Sequence, residues 1–177
     1  ERIGMSTSRS DWQPLDLRSG KNPTIYICLK PNEVTSYLSL LRVMIGQHIR
    51  ALTAEIPARG SAPILFLLDE MPQLGHMPPI ESALDIGAQY GLRLWMFAQS
   101  VAQLRDAYSK ADGMIGNCAV RSYMNCALQD GTAKMVAEQI GFRSGEHHGG
   151  KGEQKGDKLV VDPSELSGPD YRELQIV

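Results

Sequence analysis

Residues 62–75 read A-P-I-L-F-L-L-D-E-M-P-Q-L-G, and the break within them decides the fold: an apolar run, Ile64 to Leu68, stops at two adjacent carboxylates, Asp69 and Glu70. Five apolar residues between Pro63 and a polar turn fit a fully buried parallel strand. Periodicity alone also allows a short buried helix, and the flanking Pro63 and Pro72 favour the strand. Two acids at the end of such a strand have a specific chemical use. One carboxylate can hold Mg²⁺ against phosphate oxygens while the next orients a water that attacks phosphorus. The same pair is also compatible with a plain solvated turn, so the acids need support from neighbouring elements.

Working outward, the chain alternates strands and helices. Thr24 to Leu29 (T-I-Y-I-C-L) is rich in β-branched and aromatic residues and reads as a strand closed by Pro31. Asn32 is placed to cap a helix whose apolar face is Val34, Leu38, Leu41, Ile45, Ile49 and Leu52, with Arg42, Gln47 and Arg50 off it and an end near Thr53. After the acidic strand comes a Pro-containing turn, Met71 to Pro79, then a helix from about Ile80 to Tyr90 closed by Gly91. Leu92 to Ala98 reads as the next strand, followed by Gln99 and by Ser100, which can cap a helix to about Tyr108. Val120 to Met124 reads as a weaker strand. Asp130-Gly131-Thr132 opens a helix ended by Gly141, and Leu159 to Val161 and Leu174 to Val177 read as short closing strands. This order implies an α/β fold, a mostly parallel sheet with helices on both faces. Residues 1–22 read as a lead-in segment, and about 143–158, with almost no apolar residue, as a mobile glycine-rich loop inside a domain spanning 23–177.

In open α/β sheets ligands collect outside the carboxyl ends of the strands, which draws Asp69, Glu70 and Gln99 to one crevice if the two strands pair in parallel. An amide there can hydrogen-bond a γ-phosphate or its attacking water; alternatively Gln99 is a polar residue at a helix entry. No G-x-x-x-x-G-K-[ST] phosphate loop occurs. Gly145 to Gly152 comes near it, but Gly152 stands where Ser or Thr is needed, with no strand before it and no helix after it. His147 and His148 in that polar stretch read as exposed, and Trp95 between Leu94 and Met96 as a core residue rather than a stacking platform. The arginines Arg42, Arg50, Arg59, Arg93, Arg105 and Arg121 are scattered and read mostly as solvated surface.

Composition limits the alternatives. A chain of 177 residues is long enough for one sizeable core, and a net charge of −2 provides no overall basic excess for nucleic acid or membrane, so such a partner needs a local patch. Cys28, Cys118 and Cys126 are odd in number and lack metal-knuckle spacing, which favours reduced, mostly buried thiols in a cytosolic setting. No apolar run is long enough for a membrane helix, and no signal peptide opens the chain. Glu1 in place of an initiator Met suggests a piece of something longer.

Five ordered segments carry a resemblance over nearly the whole chain: T-I-Y-I-C-L-K-P-N-E (24–33), L-L-R-V-M-I-G-Q-H-I-R-A-L (40–52), P-I-L-F-L-L-D-E-M-P-Q-L-G (63–75), Y-G-L-R-L-W-M-F-A-Q-S-V-A-Q-L (90–104) and V-D-P-S-E-L (161–166). Together they resemble the TraG-like coupling proteins of type IV secretion and bacterial conjugation. The resemblance implies the C-terminal part of a RecA-like P-loop NTPase domain. It also implies a membrane-anchored ATPase at the cytoplasmic side of the bacterial inner membrane. Such an enzyme forms a homo-hexamer, uses ATP and Mg²⁺, and passes DNA-relaxase complexes or effector proteins to the type IV secretion channel. Asp69 and Glu70 match the family's Walker B acids: Asp69 the Mg²⁺ ligand, acting through water, and Glu70 the residue that polarises the hydrolytic water. Gln99 matches the glutamine after the next strand, the γ-phosphate sensor. Where some relatives carry a proposed arginine finger this chain reads A-L-D-I-G-A-Q-Y-G, and Arg93 is the nearest candidate. The membrane segment, the Walker A loop and most of the inserted helical domain are expected upstream of Glu1, leaving this piece inactive alone. The alternative is a non-catalytic adaptor that binds secretion substrates on a RecA-like sheet. Another RecA-like DNA translocase is a third reading of the same acids and glutamine.

Overall fold

The computed structural model describes residues 8–30, 32–145, 156–171 and 175–176. They divide into two compact units, Glu1–Ala98 with Ala107–Ser109, and Gln99–Asp106 with Lys110–Val177.

The first unit is built on strands β1 (Ile64–Leu68) and β2 (Leu92–Met96), which pair in parallel from Ile64 opposite Leu92 to Leu68 opposite Met96. The connection between them carries helix α2 (Pro78–Ile86) and 3₁₀ turns at Met71–Leu74 and Gly87–Tyr90. Gly91 closes it at φ 69°, a left-handed position that suits glycine. Helix α1 (Val34–Leu52) precedes β1 and ends at Thr53, whose hydroxyl and amide both return to the Ile49 carbonyl. Burial along α1 deepens toward its end, where Ile49 and Leu52 are closed off from solvent. Leu52 joins Ile64 and Leu92 in a core flanked by Leu17, Phe66, Tyr90 and Leu94. The lead-in segment contributes too: a 3₁₀ turn at Pro14–Arg18 brings Leu17 to this core, and Arg18 donates to the carbonyls of Leu52 (3.0 Å) and Tyr90 (2.7 Å).

Because side chains alternate along a strand, the partners of that core point the other way. Leu65, Leu67, Trp95 and Phe97 form an exposed face, with the rings of Trp95 and Phe97 stacked at 5.5 Å. Trp95 is therefore a surface residue, 57% exposed, contrary to the core position its apolar neighbours imply. Trp12→Phe leaves Trp95 as the sole tryptophan. Its emission is expected at the red, hydrated end of the tryptophan range and readily quenched by acrylamide; blue, unquenched emission contradicts the exposed face.

Two further expectations change. Thr24 to Leu29 forms no strand: Ile25, Tyr26, Ile27 and Cys28 are exposed, and no described strand pairs with them. Strand propensity expresses a fit to a pleated, half-buried surface, and without a partner it fixes nothing. At the start of α1, Lys30 and Glu33 close a turn (2.8 Å) that places Glu33, not Asn32, at the cap.

The second unit contains α3 (Val101–Ala107) up to Asp106, α4 (Ala111–Asn117), β3 (Ser122–Tyr123), α5 (Thr132–Ile140), β4 (Phe142–Gly145), β5 (Gly156–Leu159), α6 (Pro163–Leu166) and β6 (Gln175–Ile176). Ser100 caps α3 by accepting the Gln103 amide (3.1 Å). Gly131 at φ 77° and the Asp130 carboxylate on the Thr132 amide (2.9 Å) start α5, and Gly141 at φ 108° ends it. Asp162 caps α6 through the Ser164 amide (2.8 Å), and the Ser164 hydroxyl and amide hold its carboxyl below the ordinary range. The core here is Cys126, Ala133, Val136, Ala137 and Leu166. Of the strand expected over Val120–Met124 only Ser122–Tyr123 pairs, antiparallel with β6, while Val120 and Met124 are exposed. The sequence does not announce α4, since Gly113 and Gly116 in a seven-residue helix erase its period. The ends of the glycine-rich stretch, β4 and β5, pair antiparallel; His147, His148 and residues 146–155 generally lie outside the described residues. Burial raises the thiol pKa of both the half-buried Cys118 and the core residue Cys126, whereas Cys28 is exposed and departs from the buried expectation. Among the described residues no helix is long and apolar enough to cross a membrane.

Candidate nucleotide-hydrolysis site

At the C-terminal end of the parallel pair, two backbone bonds to Phe97 bracket the acids. Its amide donates to the Leu68 carbonyl (3.0 Å), and its carbonyl accepts from the Met71 amide (2.9 Å). Asp69 and Glu70 occupy the turn between those bonds, pushed beyond the strand end as the sequence requires. Asp69 is exposed and Glu70 half-buried. Glu70 sits at φ 48°, ψ 42°, a left-handed conformation that costs a non-glycine residue about 1–2 kcal/mol. Its carbonyl accepts from the Gln73 amide (2.9 Å) and its carboxylate from the Gln73 side-chain amide (3.1 Å).

The residues after the turn hold it in place. Met71, Pro72 and Leu74 are buried, so the 3₁₀ segment is packed rather than solvated. Arg42, projecting from α1, donates to the carbonyls of Leu74 and of His76 (2.8 Å). Gly75 lies between those carbonyls at φ 68°, and a Cβ there would meet Arg42 Nη1 at 3.1 Å. His76 in turn bonds Glu81 (3.2 Å) and sets its ring edge-on to Tyr108 at 5.6 Å. Tyr108 is fully buried, which raises its phenol pKa, with the Met77 backbone opposing the shift.

Carboxylate oxygens are hard ligands, and Mg²⁺ is commonly held by one or two protein carboxylates with substrate phosphates supplying the rest. Adjacent acids on a rigid turn fit that pattern. Gln99 opens the second unit, two residues beyond Phe97; the residue is exposed and its backbone N–H donates to Gln103 Oε1 (3.1 Å). The guanidinium of Arg93 donates to the carbonyls of Leu92 (2.9 Å) and Ala88 (3.4 Å), within its own strand and the turn before it.

Sequence reasoning misses two contributors. Arg42 lies off the apolar stripe of α1, yet it falls four residues after Leu38 and three before Ile45, at the stripe's edge, where a long cation can reach the packed turn. Gln73 is three residues after Glu70, the spacing at which a turn returns one side chain to another.

Residues 1–155 match the family model described as Type IV secretory system Conjugative DNA transfer. The chain is 33% identical over 142 residues to Protein VirD4 of Rhizobium radiobacter, covering 78% of this chain and 20% of that protein. It is 28% identical over 131 residues to the conjugal transfer protein TraG of Escherichia coli, covering 68% and 21%. It thus spans about a fifth of the length of these relatives. Among solved structures, the conjugative coupling protein TrwBdeltaN70 superposes with a TM-score of 0.77 at 15% identity, covering 94% of this chain and 40% of that one. The plasmid coupling protein TrwB in complex with ADP and Mg²⁺ gives 0.75 at 18%, covering 94% and 42%. The chain shares the α/β fold of these coupling-protein structures, with a parallel strand pair and helices.

Proposed function

Since the chain belongs to the type IV secretory system conjugative DNA transfer family of VirD4/TraG coupling proteins, we propose that Asp69, Glu70 and Gln99 serve ATP hydrolysis in a coupling motor. The observation that carries the reading is the left-handed Glu70 on a packed turn just past the end of a parallel strand. A backbone held in a costly conformation at a carboxylate is the kind of strain that clusters at functional sites.

In this reading Asp69 holds Mg²⁺ through water, consistent with its exposure at the rim. Glu70 accepts a hydrogen bond from the hydrolytic water and orients it toward the γ-phosphorus. The Gln73 amide, bonded to the same carboxylate, limits its rotation. Gln99 hydrogen-bonds the γ-phosphate. Mg²⁺ held by Asp69 would supply charge neutralisation for the phosphates. The phosphate grip comes from elsewhere in a longer protein, since this chain has no G-x-x-x-x-G-K-[ST], and the chain alone therefore does not turn over ATP. The whole protein is read as an inner-membrane homo-hexamer that recruits relaxase-bound DNA or effector proteins to the secretion channel. The missing phosphate loop is also what a non-catalytic adaptor on the same fold would display.

Asp69→Asn separates the two. In an ATP-hydrolysing protein carrying this sequence, the half-saturating Mg²⁺ concentration is expected to rise about 10–100-fold, the usual cost of disturbing a ligand that acts through an outer shell. An unchanged Mg²⁺ titration removes Asp69 from the site, and a natural protein with no hydrolysis at any Mg²⁺ concentration favours the adaptor.

A further inference from the structure

We infer that Arg42 is a positioning residue that sets the direction of the Glu70 carboxylate from the far end of its turn. This inference rests on the hydrolytic role of Glu70 proposed above. The segment from Leu68 to Met77 is fixed at its entry by the two backbone bonds to Phe97. Its exit is fixed by the Arg42 side chain, through the carbonyls of Leu74 and His76. Between these anchors sits a residue that the backbone alone would not leave in the left-handed region. Releasing either end lets φ at position 70 return to negative values, and the carboxylate swings with it.

Arginine suits this job for a geometric reason. Its planar guanidinium presents donors in a fixed fork, so two carbonyls two residues apart are gripped by Nη1 and Nη2 at once. Lysine keeps the charge and most of the stem but is a point donor and cannot reproduce the fork. Gly75 completes the fit: its missing Cβ leaves the space the fork occupies, 3.1 Å from where that carbon would stand. The anchor also rests on firm ground, because Leu74 and Met77 on either side are buried and α1 is closed off from solvent at Ile49 and Leu52.

The test uses an ATP-hydrolysing protein that carries this sequence, with kcat expressed per bound nucleotide counted by retention of labelled ATP. Arg42→Lys is expected to lower that kcat about 10–100-fold with KM for ATP nearly unchanged, as for a catalytic group moved by a fraction of an ångström to an ångström. In the Glu70→Gln background the same change is expected to cost nothing further in single-turnover rate, because Arg42 acts through the carboxylate already removed. Arg42→Gln, which keeps one amide donor on a shorter stem but not the fork, is expected to repeat the pattern and provides the result if Arg42→Lys does not fold. A wild-type kcat per bound nucleotide in Arg42→Lys, or an equal loss with and without the Glu70 carboxylate, overturns the inference. Should Glu70→Gln itself hydrolyse normally, the hydrolytic reading fails and this inference with it, an outcome distinct from the other two.

Discussion

Glu70→Gln in an ATP-hydrolysing protein that carries this sequence is expected to lower kcat by about 10²–10⁴-fold, the range for removing a positioned general base. The substitution is nearly isosteric and keeps the Gln73 contact available to an amide oxygen, so the turn is preserved while the carboxylate charge is lost. Phosphoryl transfer depends on orientation and on charge placed where charge develops, and the proposed role of Glu70 draws on both. Nucleotide affinity should hold, since Asp69 and the phosphate grip are untouched. Measuring single-turnover hydrolysis and labelled-nucleotide binding on the same preparation separates the two. Normal hydrolysis at normal affinity would refute the assignment of Glu70. Loss of binding together with activity would instead point to a structural role for the side chain.

The second large effect concerns stability. Leu52→Ala is expected to destabilise the first unit by about 2–5 kcal/mol, read by urea unfolding of this chain. Leu52 is 1% exposed and meets Ile64 and Leu92, so it joins the end of α1 to both strands of the parallel pair. Removing three carbons there leaves a cavity beneath the sheet that the β1–β2 ladder keeps from collapsing. A loss below about 1 kcal/mol would show that α1 is not seated on the strands. By contrast Leu65→Ala, on the exposed face, touches no such core.

Local signals were legible where the chain answers to its own neighbours. The parallel pair, the acids at its end, Gly91 and Gly141 as terminators, Gly131 as a helix start and Ser100 as a cap all come from short-range chemistry. Signals that depend on a distant partner were not. Thr24 to Leu29 has strand composition and no strand, and Trp95 has core neighbours and a solvent-facing ring, because β-structure is completed by whatever pairs with it. The adjacent acids were legible as residue types past a strand end; their conformation was not. Nothing in D-E-M-P-Q-L-G announces that Glu70 is left-handed or that an arginine 28 residues upstream bonds the carbonyls at the exit, since the first is a backbone angle and the second a contact between segments far apart in sequence.

The left-handed backbone at position 70 sets two selection pressures against each other. Considered as architecture, glycine is the better occupant, relieving about 1 kcal/mol that glutamate incurs there. Under the hydrolytic role proposed for Glu70, glycine would remove the carboxylate that orients water. A screen that ranks variants of this chain by melting temperature would then promote a change that costs the proposed activity, so any thermostabilised version should be assembled with position 70 held out of the search.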